Sequence, residues 1–379
     1  MSFLKDKSAK GATDILKVLA LLGLPFVHAS IILVANGFCT EGVTNMAGFF
    51  GFLMVFGGPV FMICLGIDLY ENRSYKSIIK MGVEISLINI VFNLIRYNLP
   101  DSILVFAGFV PSNMMLIDPV AGDIYAFVGL FCIFYGLAKK FNWSLSACTA
   151  AAVGLFALNL LLENHLLPVD MVLGYYIGNL ISGYDGACFS LFGWSIFPII
   201  GLHIAKVMKL EKAKRDRTFG LILLGTVVAF GVFLAVLNSM GTDVLQVMLA
   251  FTTHVYGPLQ AITMILSGVF AVSLMYFIYC LVPENRFERK VIMLTNLVMP
   301  FYLIHFVIVC WLICFPEFAL LAAGRAPICV SVAGFFALSL GVTLVSAFIC
   351  YKKGFTITRW LFKVFDYKRW FKKKKKVTA

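Results

Sequence analysis

The feature that most restricts what this chain can fold into is a succession of continuous apolar stretches, each about 20 residues long. A bilayer core of roughly 30 Å needs a helix of that length. In lipid every backbone N–H and C=O must be satisfied internally, so only helices and closed barrels can span. A barrel would show alternating segments of about ten residues. The runs here are unbroken, and only 13% of residues are charged while 61% are hydrophobic; soluble domains carry about a quarter charged residues. The expectation is an all-α polytopic membrane protein, a bundle of about ten transmembrane helices. The runs fall roughly at 15–35, 47–69, 78–98, 119–138, 145–162, 188–207, 218–238, 257–281, 291–314 and 327–351. Pro25, Pro59, Pro198 and Pro300 lie inside them and are expected to kink their helices. No internal repeat supports an inverted-repeat transporter layout.

The basic residues set the expected orientation. Of the 31 lysines and arginines, all but Arg96 and Arg325 fall at the termini, near the start of the first run, or in alternate connections. By the positive-inside rule both termini are expected to be cytoplasmic, in the cell membrane. That placement also accounts for the net charge of +12 without nucleic acid as a partner. Residues 1–354 read as the transmembrane domain. Residues 355–379 read as a basic amphipathic tail in which Trp360, Phe362, Phe365, Trp370 and Phe371 accompany a run of five lysines, suited to anionic lipid. The polar start MSFLKDKSAK, with no small-residue cleavage site after the first run, reads as an uncleaved anchor.

Chemical motifs are sparse. The ten cysteines are scattered through apolar runs without a CxxC pair, which points to packing and away from disulfides. HExxH spacing, a P-loop and a GxSxG elbow are all absent, so no metal site is expected. Two outer connections are longer than a hairpin needs. Residues 99–118 contain Asp101, Pro111, Asn113 and Asp118, and residues 163–187 contain Asp170, Tyr175, Tyr176 and Tyr184. Such side chains suit a hydroxyl-rich ligand and equally suit ordinary wetted loops. A third outer stretch, 238–256, is half apolar and is expected to approach the membrane edge.

Ionisable groups at membrane depth are functional candidates by default, although they also pair structurally. His28 lies in the outer half of the first run, with Asp14 and Lys17 at its inner start. Asp14 and Lys17 are one turn apart, close enough to pair with each other. Asp68 closes the second run. Glu84, Asn89, Asn93 and Arg96 lie on the third, the last three sharing a face. Asp123 opens the fourth run, and Asn296 and His305 lie on the ninth. His28 is the foremost candidate for proton transfer. His305 suits a satisfied structural role as well as a substrate contact. His165 and His254 read as solvated loop residues, and His203 as a packing residue.

The string DILKVLALLGLPFVHA resembles the opening of the acyltransferase-3 family, in which an arginine and a histidine are separated by ten residues on the first helix. Here Lys17 and His28 have that spacing, with lysine in place of arginine. GGPVFMICLGIDLYENRSYKSIIK is similar to the second helix of the same superfamily, including its heparan-glucosaminide acetyltransferase-like branch. FSLFGWSIFPIIGLHIAK resembles a middle helix of that branch, and FYLIHF the near-terminal helix of both. The resemblance implies a membrane-bound acyltransferase. It would carry an acyl group, acetyl by expectation, from cytoplasmic acetyl-CoA or another acyl-CoA to a hydroxyl or amine of an extracytoplasmic glycan. In that scheme His28 is catalytic, and Lys17, Arg73, Lys76 and Lys80 meet the CoA phosphates. Asp14, Asp68, Arg96, Asp123, Asn296 and His305 are the candidates for substrate contacts or supporting roles. Lysine lacks arginine's planar fork for phosphate or carboxylate. The rival expectation is a multi-span transporter or flippase for a polar or lipid-linked sugar.

Overall fold

A computed structural model of the chain describes residues 9–35, 40–70, 74–108, 122–163, 169–182, 189–241, 258–281, 294–311 and 331–364. Among the described residues the regular elements are helices, with no strand. They are α1 (Ala9–Ala35), α2 (Glu41–Tyr70), α3 (Tyr75–Asn93), α4 (Leu99–Phe106), α5 (Ile124–Lys140), α6 (Leu145–Glu163) and α7 (Met171–Gly178). There follow α8 (Leu191–Trp194), α9 (Ile196–Met208), α10 (Lys212–Ser239), α11 (Pro258–Leu281), α12 (Val298–Val309) and α13 (Val332–Val364). Helix is found in every one of the ten apolar runs, and the run 188–207 is divided between α8 and α9. Among the described residues seven stretches are long and apolar enough to cross a bilayer: Lys10–Ser30, Tyr75–Phe106, Leu145–Leu162, Leu191–Met208, Lys212–Ser239, Pro258–Leu281 and Val332–Lys353. Gly57–Tyr70 and Val298–Val309 are shorter apolar helices. This is an all-α polytopic membrane protein.

Helix α2 is the hub, packing against α1, α9 and α11, while α3 pairs with α5 and α12 with α13. Glycine permits the closest approaches. A Cβ on Gly66 would lie 1.9 Å from the Pro198 carbonyl oxygen, and one on Gly201 2.0 Å from that of Ile63. With no hydrophobic force between helices in lipid, such backbone-to-backbone packing does much of the holding. By contrast α10 is mostly exposed, with Leu221, Leu224, Val228 and Val232 all more than half exposed; in a membrane that face meets lipid.

Prolines behave less uniformly than the sequence suggests. Pro25 and Pro59 sit within the uninterrupted helices α1 and α2. Pro198 and Pro300 instead stand in the first turns of α9 and α12, each just after an irregular turn. A proline cannot donate to the carbonyl four residues back, so the disturbance appears one turn upstream. Pro100 does the same, and its effect matters for the site. The third run also continues helically to Phe106, so Asp101 lies on α4 and not in an outer loop. At the other end α13 runs unbroken past residue 354, across the boundary between bundle and tail.

A small apolar core joins α1, α2, α12 and α13 around Leu33, Val43, Val309 and Phe335, and two larger ones accompany it. One joins α2, α5, α9 and α11 around Met62, Ile63, Phe131, Phe197 and Tyr276. The other joins α1, α3, α5 and α12 around Leu21, Ile88, Phe92, Tyr302 and Phe306. The polar groups of interest are set into the second.

Candidate functional site

The backbone of α3 opens into a π-helical turn at Leu94–Asn98. Pro100 has no N–H for the Arg96 carbonyl, and the Leu99 N–H bonds to Leu94 O, five residues back. The Ile95 carbonyl, bypassed by this shift, accepts instead from Trp311 Nε1 at 3.1 Å. Leu94 and Ile95 face outward at 39% and 46% exposure, whereas Arg96 is 1% exposed. Its guanidinium carbon lies 4.3 to 4.4 Å from the ring centres of Phe92, Tyr97 and Phe306. The π faces of those rings attract the cation where water is excluded.

Arg96 pairs with Asp123 and donates through Nε to Asn93 Oδ1 at 3.0 Å. Asp123 has three tasks at once. It caps the N-terminus of α5 through the Ile124 N–H, meets the arginine, and accepts the Tyr302 hydroxyl at 2.6 Å. A carboxylate oxygen can accept several bonds, and a buried ion pair is tolerable only when such bonds fill it. Tyr125, edge-on to Tyr302, donates its hydroxyl to Met299 O at 3.1 Å.

Beside this ionic group lie two histidines from distant parts of the chain. His28 Nδ1 and His305 Nε2 are 2.9 Å apart, with ring planes within 6°. His305 Nδ1 is 2.9 Å from Phe301 O, one turn back on α12. His305 is fully buried and His28 is 9% exposed. Tyr302 stands edge-on to both imidazoles, and Phe306 covers His28 with ring centres 4.3 Å apart.

Lys17 lies on the same face of α1 as His28, about three turns and roughly 16 Å away along the axis. Its ammonium sits 2.9 Å from Asp14 Oδ1 and 2.9 Å from Asp68 Oδ2, tying α1 to α2. Lys17 and Asp68 also line a cavity of about 260 Å³. Its sides are Phe61, Leu65, Ile124, Val128, Val298 and Met299, and Tyr125 and Tyr302 contribute to its wall. The cavity therefore joins the lysine to the tyrosine that touches both histidines. Neither histidine lines it. Its volume is just under the range usual for drug-sized ligands, so it suits a slender chain more than a nucleotide.

The remaining candidates scatter. Lys76 is exposed on the first turn of α3, and Lys80 pairs with Glu84 at 3.2 Å. Asn89 is buried with its side-chain oxygen unpartnered. Asn296 falls in the turn Thr295–Leu297, with its side chain outside the described residues, as are Arg73, His165 and His254. His203 bonds to Thr149 Oγ1 at 2.8 Å, joining α9 to α6. Among the described residues no cluster of three or more His, Cys, Asp or Glu side chains has the makings of a metal site.

Tyr302, Tyr125 and Trp311 were not singled out by sequence. Tyr302 carried a usable signal, since it lies three residues before His305 and so shares its helix face. Trp311 carried none, because its bond depends on a local unwinding of another helix. No family model matches this chain, and no curated protein or solved structure matches it either.

Proposed function

We propose that this protein is a membrane-bound acyltransferase that takes an acyl group from cytoplasmic acyl-CoA and delivers it to a hydroxyl or amine of an extracytoplasmic glycan. The observation that supports this reading is the cavity running from Lys17 and Asp68 to Tyr302, the tyrosine whose ring stands edge-on to both His28 and His305 behind it. A mostly apolar slot suits the pantetheine arm and its thioester, leaving the charged nucleotide outside it. The reading includes ten spans with both termini cytoplasmic and a tail held to anionic lipid. Lys17 is already met by two carboxylates. The phosphates therefore fall to Lys76, Lys80 and Arg73, with Lys17 lining the cavity.

In the transfer, the acceptor oxygen or nitrogen attacks the thioester carbonyl while His28 takes its proton. Collapse of the tetrahedral adduct breaks the carbon–sulfur bond, and the imidazolium returns the proton to the departing thiolate. The products are the acylated acceptor and free CoA thiol. In this reading Arg96, packed on the same Phe306 ring that covers His28, favours the negative charge that develops on the carbonyl oxygen.

Mass spectrometry of surface glycans tests this directly. Cells producing the wild-type protein should carry an acyl mass that His28→Ala cells lack at equal protein level. An unchanged glycan profile in the variant would remove His28 from the chemistry. One observation weighs against the enzyme: two carboxylates and a single ammonium around Lys17 leave net negative charge beside the cavity, which repels a polyphosphate and leaves the transporter of a polar or lipid-linked sugar as the second reading. Thermal stabilisation by acetyl-CoA, absent with truncated analogues, would decide for the enzyme.

A further inference from the structure

Hydrogen-bond chemistry orders the two histidines beyond what their proximity alone says. The Phe301 carbonyl can only accept, so His305 Nδ1 carries a proton and donates it. A neutral imidazole has one N–H, so His305 Nε2 is bare and must accept. His28 Nδ1, 2.9 Å away, is then the donor, and its own remaining nitrogen, Nε2, is left with a free lone pair. The chain of bonds runs one way, from His28 through His305 to the α12 backbone. His305 is fully buried and His28 is 9% exposed, so the free lone pair belongs to the less enclosed of the two rings.

We propose that His305 is a positioning residue that fixes His28 in the Nδ1–H tautomer, making His28 Nε2 the atom that receives and returns the proton. It takes the place that a carboxylate or backbone carbonyl fills behind other working imidazoles. When His28 gains a proton at Nε2, its Nδ1–H still has an acceptor, and the positive charge is partly shared along the chain. No proton need leave His305, because the Phe301 carbonyl cannot take one. The assignment of roles to a reacting proton rests on the acyl-transfer reading. The tautomer assignment does not.

Two measurements keep those apart. Nitrogen-15 NMR of histidine-labelled protein in bilayers reports which ring nitrogen carries the proton, and the His28 signals are identified by their loss in His28→Gln. At neutral pH the expected result is a protonated Nδ1 and bare Nε2 on both rings. His28 found with its proton on Nε2 would overturn the proposal. In His305→Leu the His28 signals should shift to a mixture of tautomers, whereas His305→Gln, whose side-chain oxygen is able to accept, should restore the Nδ1–H form. A His28 tautomer unmoved in both variants would overturn it equally. Acyl transfer then supplies the functional arm. In His305→Leu kcat should fall about 10- to 100-fold with KM little changed, and His305→Gln should recover much of it. Equal loss in both variants would overturn the positioning role. If the tautomers are as stated but no acyl-CoA is consumed by the wild-type protein, the acyl-transfer reading fails and the tautomer assignment stands.

Discussion

Two ionic centres in this bundle are built from similar parts and solve different problems. At the start of α1, Lys17 meets two carboxylates with one ammonium; its side chain and that of Asp14 are 12% exposed, while Asp68, at 38%, keeps water at the centre's edge. Deeper in the second core, Arg96 meets one carboxylate, Asp123, with side-chain exposures of 1% and 6%. Where water reaches, an unbalanced charge is tolerable, because solvent screens the extra carboxylate. Where it does not, charges match one to one, Tyr302, Ile124 N–H and Asn93 supply further bonds, and three aromatic rings enclose the guanidinium. The choice of cation follows the same division. Lysine's compact ammonium is strongly hydrated and suits the half-wet site, whereas arginine's planar, weakly hydrated fork suits burial among rings.

The sharpest way to break this contrast is to remove one cation from each centre. Arg96→Leu leaves Asp123 buried without its counter-charge and should cost about 3–5 kcal/mol of stability. The double variant Arg96→Leu with Asp123→Leu should recover a large part of that loss, because no orphan charge is then left behind. Thermal unfolding in detergent, followed by tryptophan fluorescence, reads both. A single variant as stable as wild type would mean that the pair is hydrated in the membrane.

At the Lys17 centre the corresponding change is milder. Lys17→Met should cost about 1–2 kcal/mol, since it leaves the buried Asp14 and the partly wetted Asp68 without their shared cation. Asp68→Asn should cost less, because Lys17 keeps Asp14 one turn away on its own helix. The order of these two variants is the informative quantity, and the same unfolding assay measures it. If Asp68→Asn proves the worse, the α1–α2 tie outweighs the local charge balance.

The two centres also differ in how far sequence discloses them. Asp14 and Lys17 stand three residues apart at the head of an apolar run, and helix periodicity alone brings them together. Asp123 is likewise placed by local chemistry, as the cap of α5. What no local rule supplies is the choice of partner across helices. Asp68 reaches Lys17 from 51 residues away, and His305 reaches His28 from 277 residues away. Apolar helices are nearly interchangeable in pattern, so the hydropathy that makes the spans so legible says little about which of them touch. The close glycine contacts of α2 with α9 are equally silent, because a glycine at an interface and one facing lipid look alike in a sequence. Helix limits shift for another reason. The third run ends near residue 98 by hydropathy, yet Pro100 starts α4 after a π-turn and does not end the helix. The turn carries Arg96 on the face it shares with the buried Asn89 and Asn93, so the charge lies in the core.

The smallest expected effect tests that last point. In a regular α-helix the Ile95 carbonyl would accept from Leu99 N–H; here the Leu99 N–H goes to Leu94 O, and Trp311 Nε1 serves Ile95 instead. Trp311→Phe keeps most of the ring but removes that donor, leaving a carbonyl at membrane depth without a partner. The cost should be about 1 kcal/mol, as for one hydrogen bond whose acceptor is left unmet. If the indole bond stabilises the π-turn, the cost should be coupled to the buried ion pair. Trp311→Phe should then be less harmful in the Arg96→Leu background, where the turn no longer has a cation to present. Strict additivity of the two changes would show the tryptophan to be a local cap with no part in holding Arg96 inward.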